Sequence, residues 1–106
     1  MSESDRSVGQ LASNMEYYVY ILQSIERGYY YIGSSNDVRQ RLKQHNAGRV
    51  MATKYRRPYK IVFSQAFNTE SEAIRVEYKL KKLKRRDFLE KIISDGRINS
   101  TKILGP

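Results

Sequence analysis

Along this chain the apolar residues first alternate, then recur at helical spacing, and then make that switch a second time. Residues 16–22, EYYVYIL, crowd tyrosines and β-branched residues in the manner of a strand. Alternation puts Tyr18 and Tyr20 on one face and Tyr17, Val19 and Ile21 on the other. The polar QSIERG after it supplies a turn, with Gly28 free to take positive φ. Residues 29–33 read as a second strand on which Tyr29 and Tyr31 share a face, and the short separation predicts an antiparallel hairpin.

Ser35, Asn36 and Asp37 are N-cap residue types, and Val38, Arg41 and Leu42 begin a helical pattern that Gly48 ends. Residues 49–59 hold no regular pattern and form a basic loop closed by Pro58; residues 60–67, KIVFSQAF, are a third strand. Thr69 and Glu72 make a capping box, followed by a stripe of Ala73, Val76, Leu80 and Leu83. The chain bends at Arg85 and Arg86, and residues 87–94 make a last helix with Phe88, Leu89, Ile92 and Ile93, stopped near Gly96. The order is β-β-α-β-α-α, an α+β class with helices flanking a small antiparallel sheet. Residues 1–15 read as a polar tail without fixed structure, 16–95 as one domain, and 96–106 as a C-terminal tail with no structural reading.

Length changes this picture little, since 106 residues support one modest core. With no cysteine, disulfides and thiolate metal sites are excluded. No apolar run approaches the roughly 18–20 residues of a membrane span, and the polar start lacks the pattern of a secretory signal, so a cytoplasmic location is expected. Charge changes it more. Twenty Lys and Arg stand against eleven Asp and Glu, a net charge of +9. Fifteen of those cations fall between Arg39 and Arg86, against three glutamates. Such an excess points to a polyanion, nucleic acid before an acidic membrane. Arg39, Lys43, Arg49, Lys54, Arg56, Arg57, Lys81 and Lys84 are the expected phosphate contacts.

Arg41 and His45 are four apart and so share a helix face, within reach of the sheet face that carries Tyr20 and Tyr31. A guanidinium, an imidazole and two phenols suit a phosphodiester: arginine forks onto phosphate oxygens, while histidine or tyrosine handles protons. The same spacing is equally met by core tyrosines under a solvated basic helix. Hydrolysis of such a bond calls for a divalent cation, and Glu77, at the edge of the apolar stripe, is the candidate carboxylate. Its other reading is a surface pair with Lys81 at i+4.

Tyr18-Val19-Tyr20, then Tyr31-Ile32-Gly33, then Arg41, and finally Glu77-Tyr78-Lys79-Leu80-Lys81 together resemble the GIY-YIG nuclease superfamily, its small stand-alone members most closely. The resemblance covers roughly residues 16–93 and departs at Tyr18, which replaces the first glycine. It implies a divalent-metal-dependent endonuclease built on a central three-stranded antiparallel sheet. Carried over by position, Tyr20, Tyr31, Arg41, His45 and Glu77 are the catalytic set, Glu77 is the ligand of one Mg²⁺ or Mn²⁺, and Gly33 is the motif glycine. DNA is the expected substrate before RNA. Tyr20 or Tyr31 would take a proton from the attacking water, directly or through His45. The competing class is a non-catalytic nucleic-acid-binding or adaptor module on the same fold.

Overall fold

The computed structural model describes residues 16–83 and 85–99. The elements are β1 (Tyr17–Ser24), β2 (Tyr30–Ser35), α1 (Val38–Asn46), a single 3-10 turn (Lys54–Arg56), β3 (Tyr59–Phe67), α2 (Glu70–Leu83) and α3 (Arg86–Asp95). The α+β class and the β-β-α-β-α-α order expected from the pattern are borne out. The sheet runs β2-β1-β3 with both pairings antiparallel, so the first strand is the central one. That explains its composition. Val19, Tyr20, Ile21 and Leu22 are all buried, because a central strand covered on both faces needs bulk on both.

Two clusters flank the sheet. On one side Val19, Ile21, Ile32, Phe63 and Phe67 pack under Ala73, Val76 and Leu80 of α2 and Leu89 and Ile92 of α3. On the other, Tyr20, Leu22 and Tyr59 pack with Tyr31, Val38, Leu42 and Ile61 beneath α1. Each fully buried Val, Leu, Ile or Phe among them contributes roughly 1.5–3 kcal/mol by leaving water. A bulge between Ile21 and Leu22 in the β1–β3 ladder lets Ile61 and Phe63, both odd-numbered, serve opposite faces. The caps form as the sequence predicts: Asp37 accepts from the Gln40 N–H at 3.0 Å and Thr69 Oγ1 from the Glu72 N–H at 3.1 Å.

Four details differ from the expectations. The second strand begins at Tyr30; Tyr29 lies in the turn, exposed, with the Arg56 guanidinium 4.0 Å from its ring centre. The apolar stripe of α2 ends at Leu80, and Leu83, one turn further, is 45% exposed because the sheet no longer lies beneath it. The last helix starts at Arg86, whose Nη1 donates to the Gly28 carbonyl and whose guanidinium stacks on Tyr30. Packing also runs past residue 95, since Ile98 is buried and its N–H donates to Gln65 Oε1 at 2.7 Å. The expected tail at 1–15, and residues 100–106, lie outside the described residues.

Candidate active site at the edge of the sheet

β2 is an outer strand, and helices on both faces of the sheet reach its free edge. From α2, Glu77 Oε1 accepts from Ser34 Oγ at 2.5 Å while Oε2 holds Lys81 Nζ at 2.7 Å. The same ammonium lies 5.5 Å from the ring centre of Tyr31. Ser34 and Tyr31 are of opposite parity in the strand, so the Glu77–Lys81 pair wraps around its edge. From α1, Arg41 enters a hollow of about 380 Å³ whose walls include Tyr17, Ser34, Asp37 and Gln44. Arg41 Nη1 donates to Gln44 Oε1 at 2.6 Å. Burial and the negative charges of Glu70 and Glu77 push the Tyr17 phenol up, and Arg41 opposes them. Arg41 and Glu77 thus act on one phenol from opposite sides of the sheet.

Tyr20 and His45 form a second, hidden layer. The sequence suggests that Tyr20, Tyr31, Arg41, His45 and Glu77 all meet in one open hollow, but Tyr20 is 1% and His45 0% exposed. The Tyr20 hydroxyl lies 3.0 Å from His45 Nε2, and His45 Nδ1 lies 2.8 Å from Thr53 Oγ1 in the basic loop. Tyr31 stands edge-on to the imidazole, 4.8 Å between centres. Burial, with help from Tyr31, pushes the Tyr20 phenol up to about 12 against the lowering pull of Arg41. Burial first, then Arg41, bring His45 down to about 4. At neutral pH the pair is a neutral phenol on a neutral imidazole. That removes the match to physiological pH that would make His45 a proton acceptor.

Gly33 sits directly across from Tyr20 in the ladder. A Cβ there would come 2.5 Å from Tyr20 Cζ, so the glycine makes room for the ring itself rather than for substrate or backbone.

Of the expected phosphate contacts, Arg39, Lys43, Arg49, Arg56 and Arg57 are exposed and Lys54 is half-buried; Lys84 lies outside the described residues. Lys81 is at the site, on Glu77, and not on a separate basic surface. Arg57 Nε donates to the Lys54 carbonyl at 2.7 Å, which stiffens the loop they share. Three residues were not foreseen. Ser34 follows the motif glycine, and its parity placed it toward Glu77's helix; Tyr17 looked like core or rim from its strand pattern; Thr53 had no signal in a loop without period.

Among the described residues no group of three or more His, Cys, Asp and Glu side chains could cage an ion. What the site offers is one carboxylate, 18% exposed, beside a serine hydroxyl. That donor set fits Mg²⁺ or Mn²⁺ bound largely through water, as magnesium prefers. It requires Lys81, 47% exposed and on a flexible stem, to swing off Glu77.

The family model of the GIY-YIG catalytic domain matches residues 16–91. The UPF0213 protein SSP2268 of Staphylococcus saprophyticus is 38% identical over 82 residues, which span 76% of this chain and 98% of that protein. The UPF0213 protein YazA of Bacillus subtilis is 43% identical over 58 residues, 54% of this chain and 59% of its own length. The solution NMR structure of the UPF0213 protein BH0048 from Bacillus halodurans, 35% identical, aligns with a TM-score of 0.48 over 83% of this chain and 94% of that one.

Proposed function

Because the chain belongs to the GIY-YIG family, a nuclease family whose members act on nucleic acid and generally use divalent metals, we propose that it is an endonuclease hydrolysing phosphodiester bonds, in DNA before RNA. The observation that carries this reading is the convergence of Arg41 and Glu77, from helices on opposite faces of the sheet, at the edge of β2.

Glu77, steadied by the Ser34 hydroxyl, would hold a single Mg²⁺ or Mn²⁺ once Lys81 has left it. Such an ion, when bound, neutralises charge on the phosphate and on the leaving oxygen. Arg41 grips the non-bridging phosphate oxygens in the neighbouring hollow and stabilises the charge that builds in the transition state. Tyr31, the partly exposed member of the two motif tyrosines, takes the proton of the attacking water as its phenolate, having first given its own proton to solvent. Tyr20 and His45, being buried, act from beneath by fixing Tyr31 and Arg41. Arg39, Lys43, Arg49, Lys54, Arg56 and Arg57 hold the backbone of the nucleic acid without reading its sequence.

One observation favours the other reading, a binding module without chemistry: Lys81 already neutralises Glu77. A panel of labelled DNA and RNA structures incubated with Mg²⁺ or Mn²⁺ separates the two. Cleavage should appear with wild type and vanish with Glu77→Gln, with Arg41→Ala or in EDTA, while binding of the variants stays measurable. Undiminished cutting by pure Glu77→Gln would refute the assignment, and binding without cutting by wild type would establish the module.

A further inference from the structure

The buried layer beneath the site has a direction, and both of its ends set it. At one end Thr53 Oγ1 has a single hydrogen, and the Val50 carbonyl stands 3.3 Å away to accept it. Thr53 and His45 are both fully buried, so water offers no alternative partner. With its hydrogen given to Val50, the threonine oxygen can only accept from His45, 2.8 Å away, which places the ring proton on Nδ1. The lone pair then lies on Nε2, and the Tyr20 hydroxyl 3.0 Å from it must be the donor. At the other end Arg41 is the cation that pulls on the Tyr20 phenol against its burial, and a guanidinium donates only. A phenol that has given its hydrogen to histidine has only lone pairs left to offer that arginine. The opposite tautomer would aim the Tyr20 hydroxyl hydrogen at a cation.

We propose that Thr53 is a positioning residue for this site: its hydroxyl holds His45 in the Nδ1–H tautomer and so keeps the Tyr20 oxygen an acceptor facing Arg41. The chain of donation runs Tyr20 to His45 to Thr53 to Val50, from the central strand across α1 into the basic loop. Thr53 touches no substrate. It acts through two intervening groups, His45 and Tyr20, on the residue that grips phosphate, and a neutral rather than charged imidazole is what makes the relay directional. In its kinetic consequence the proposal rests on the nuclease reading; in its hydrogen-bonding content it does not.

The test uses the whole chain labelled with ¹⁵N-histidine. The sequence has one histidine, so the spectrum carries a single imidazole. Wild type at neutral pH should show a protonated, pyrrole-type Nδ1 and a pyridine-type Nε2, and Thr53→Ser should look the same. Thr53→Val, folded by its amide spectrum, should populate the Nε2–H form, lower kcat roughly ten-fold as expected for one lost buried hydrogen bond, and leave affinity for a DNA oligonucleotide unchanged. Serine should restore the rate. A protonated Nε2 in wild type, or a Thr53→Val protein whose tautomer is unaltered, would overturn the proposal. Should no cleavage be found at all while the tautomers behave as stated, the nuclease reading fails and the relay stands.

Discussion

Gly33 shows how little space the ring of Tyr20 leaves beside the central strand. The ring of Tyr20 lies where a methyl group would go, and neither partner can yield, since both are in the sheet and covered. Gly33→Ala should therefore cost about 1–3 kcal/mol in stability, as overpacked cores do, and a urea titration would read it as a lower midpoint with little change in slope. His45 makes a prediction in pH. Its folded pKa of about 4 lies below the ordinary 6.5, so between those values the unfolded chain binds the extra proton and the folded one resists it. Stability should fall as pH drops from 6.5 toward 4, and melting scans of His45→Gln should lose that dependence. Tyr20 gives the mirror image: with a phenol raised to about 12, its contribution is complete below pH 10 and is lost as pH climbs through 12. At this scale the sequence brought Tyr20 and His45 together but did not give their depth. Spacing places Tyr20 and His45 on faces that meet; it does not say that helix α1 and the loop after it close over them.

At the scale of elements, α2 does two things with one turn of helix. Ala73, Val76 and Leu80 bury its inner face, and Glu77 and Lys81, i and i+4 on the neighbouring face, arrive together at the outer strand. If Glu77 is the metal ligand, the lysine would compete with the cation for the same carboxylate. Lys81→Gln should bind Mn²⁺ roughly two- to five-fold more tightly, the worth of a partly exposed ion pair, and calorimetry on the free protein would show it without recourse to cleavage. Equal affinity would mean that the ion does not use Glu77. The strands and helices were legible because period, caps and stops agree: Asp37 and Thr69 cap where residue type says they should. Their far ends were less so. Leu83 fits the apolar stripe, and only the extent of the sheet decides that nothing lies beneath it.

For the whole molecule, charge and topology carry different messages. The net charge of +9 predicts adhesion to a polyanion whatever the chemistry, so affinity for duplex DNA should fall steeply and log-linearly with salt. Replacing Arg39 or Lys43 by alanine should reduce that slope by about one each, and a slope indifferent to both would remove them from the interface. Charge was plain in the sequence; that Arg41 and Lys81 stand at the edge of a strand was not, because β2's outer position is settled by β3, which arrives later in the chain and takes the opposite flank of β1. Having the first strand in the middle governs how the protein is made. In order of synthesis β1 comes first and β2 is complete at residue 35, but β3, which pairs the other flank of β1, is complete only at residue 67. Glu77 and the Arg86 tether to Gly28 follow only afterwards. A nascent chain therefore passes the interval between residues 35 and 67 with the second flank of its central strand unpaired, an adhesive edge that calls for shelter from its neighbours until the third strand arrives.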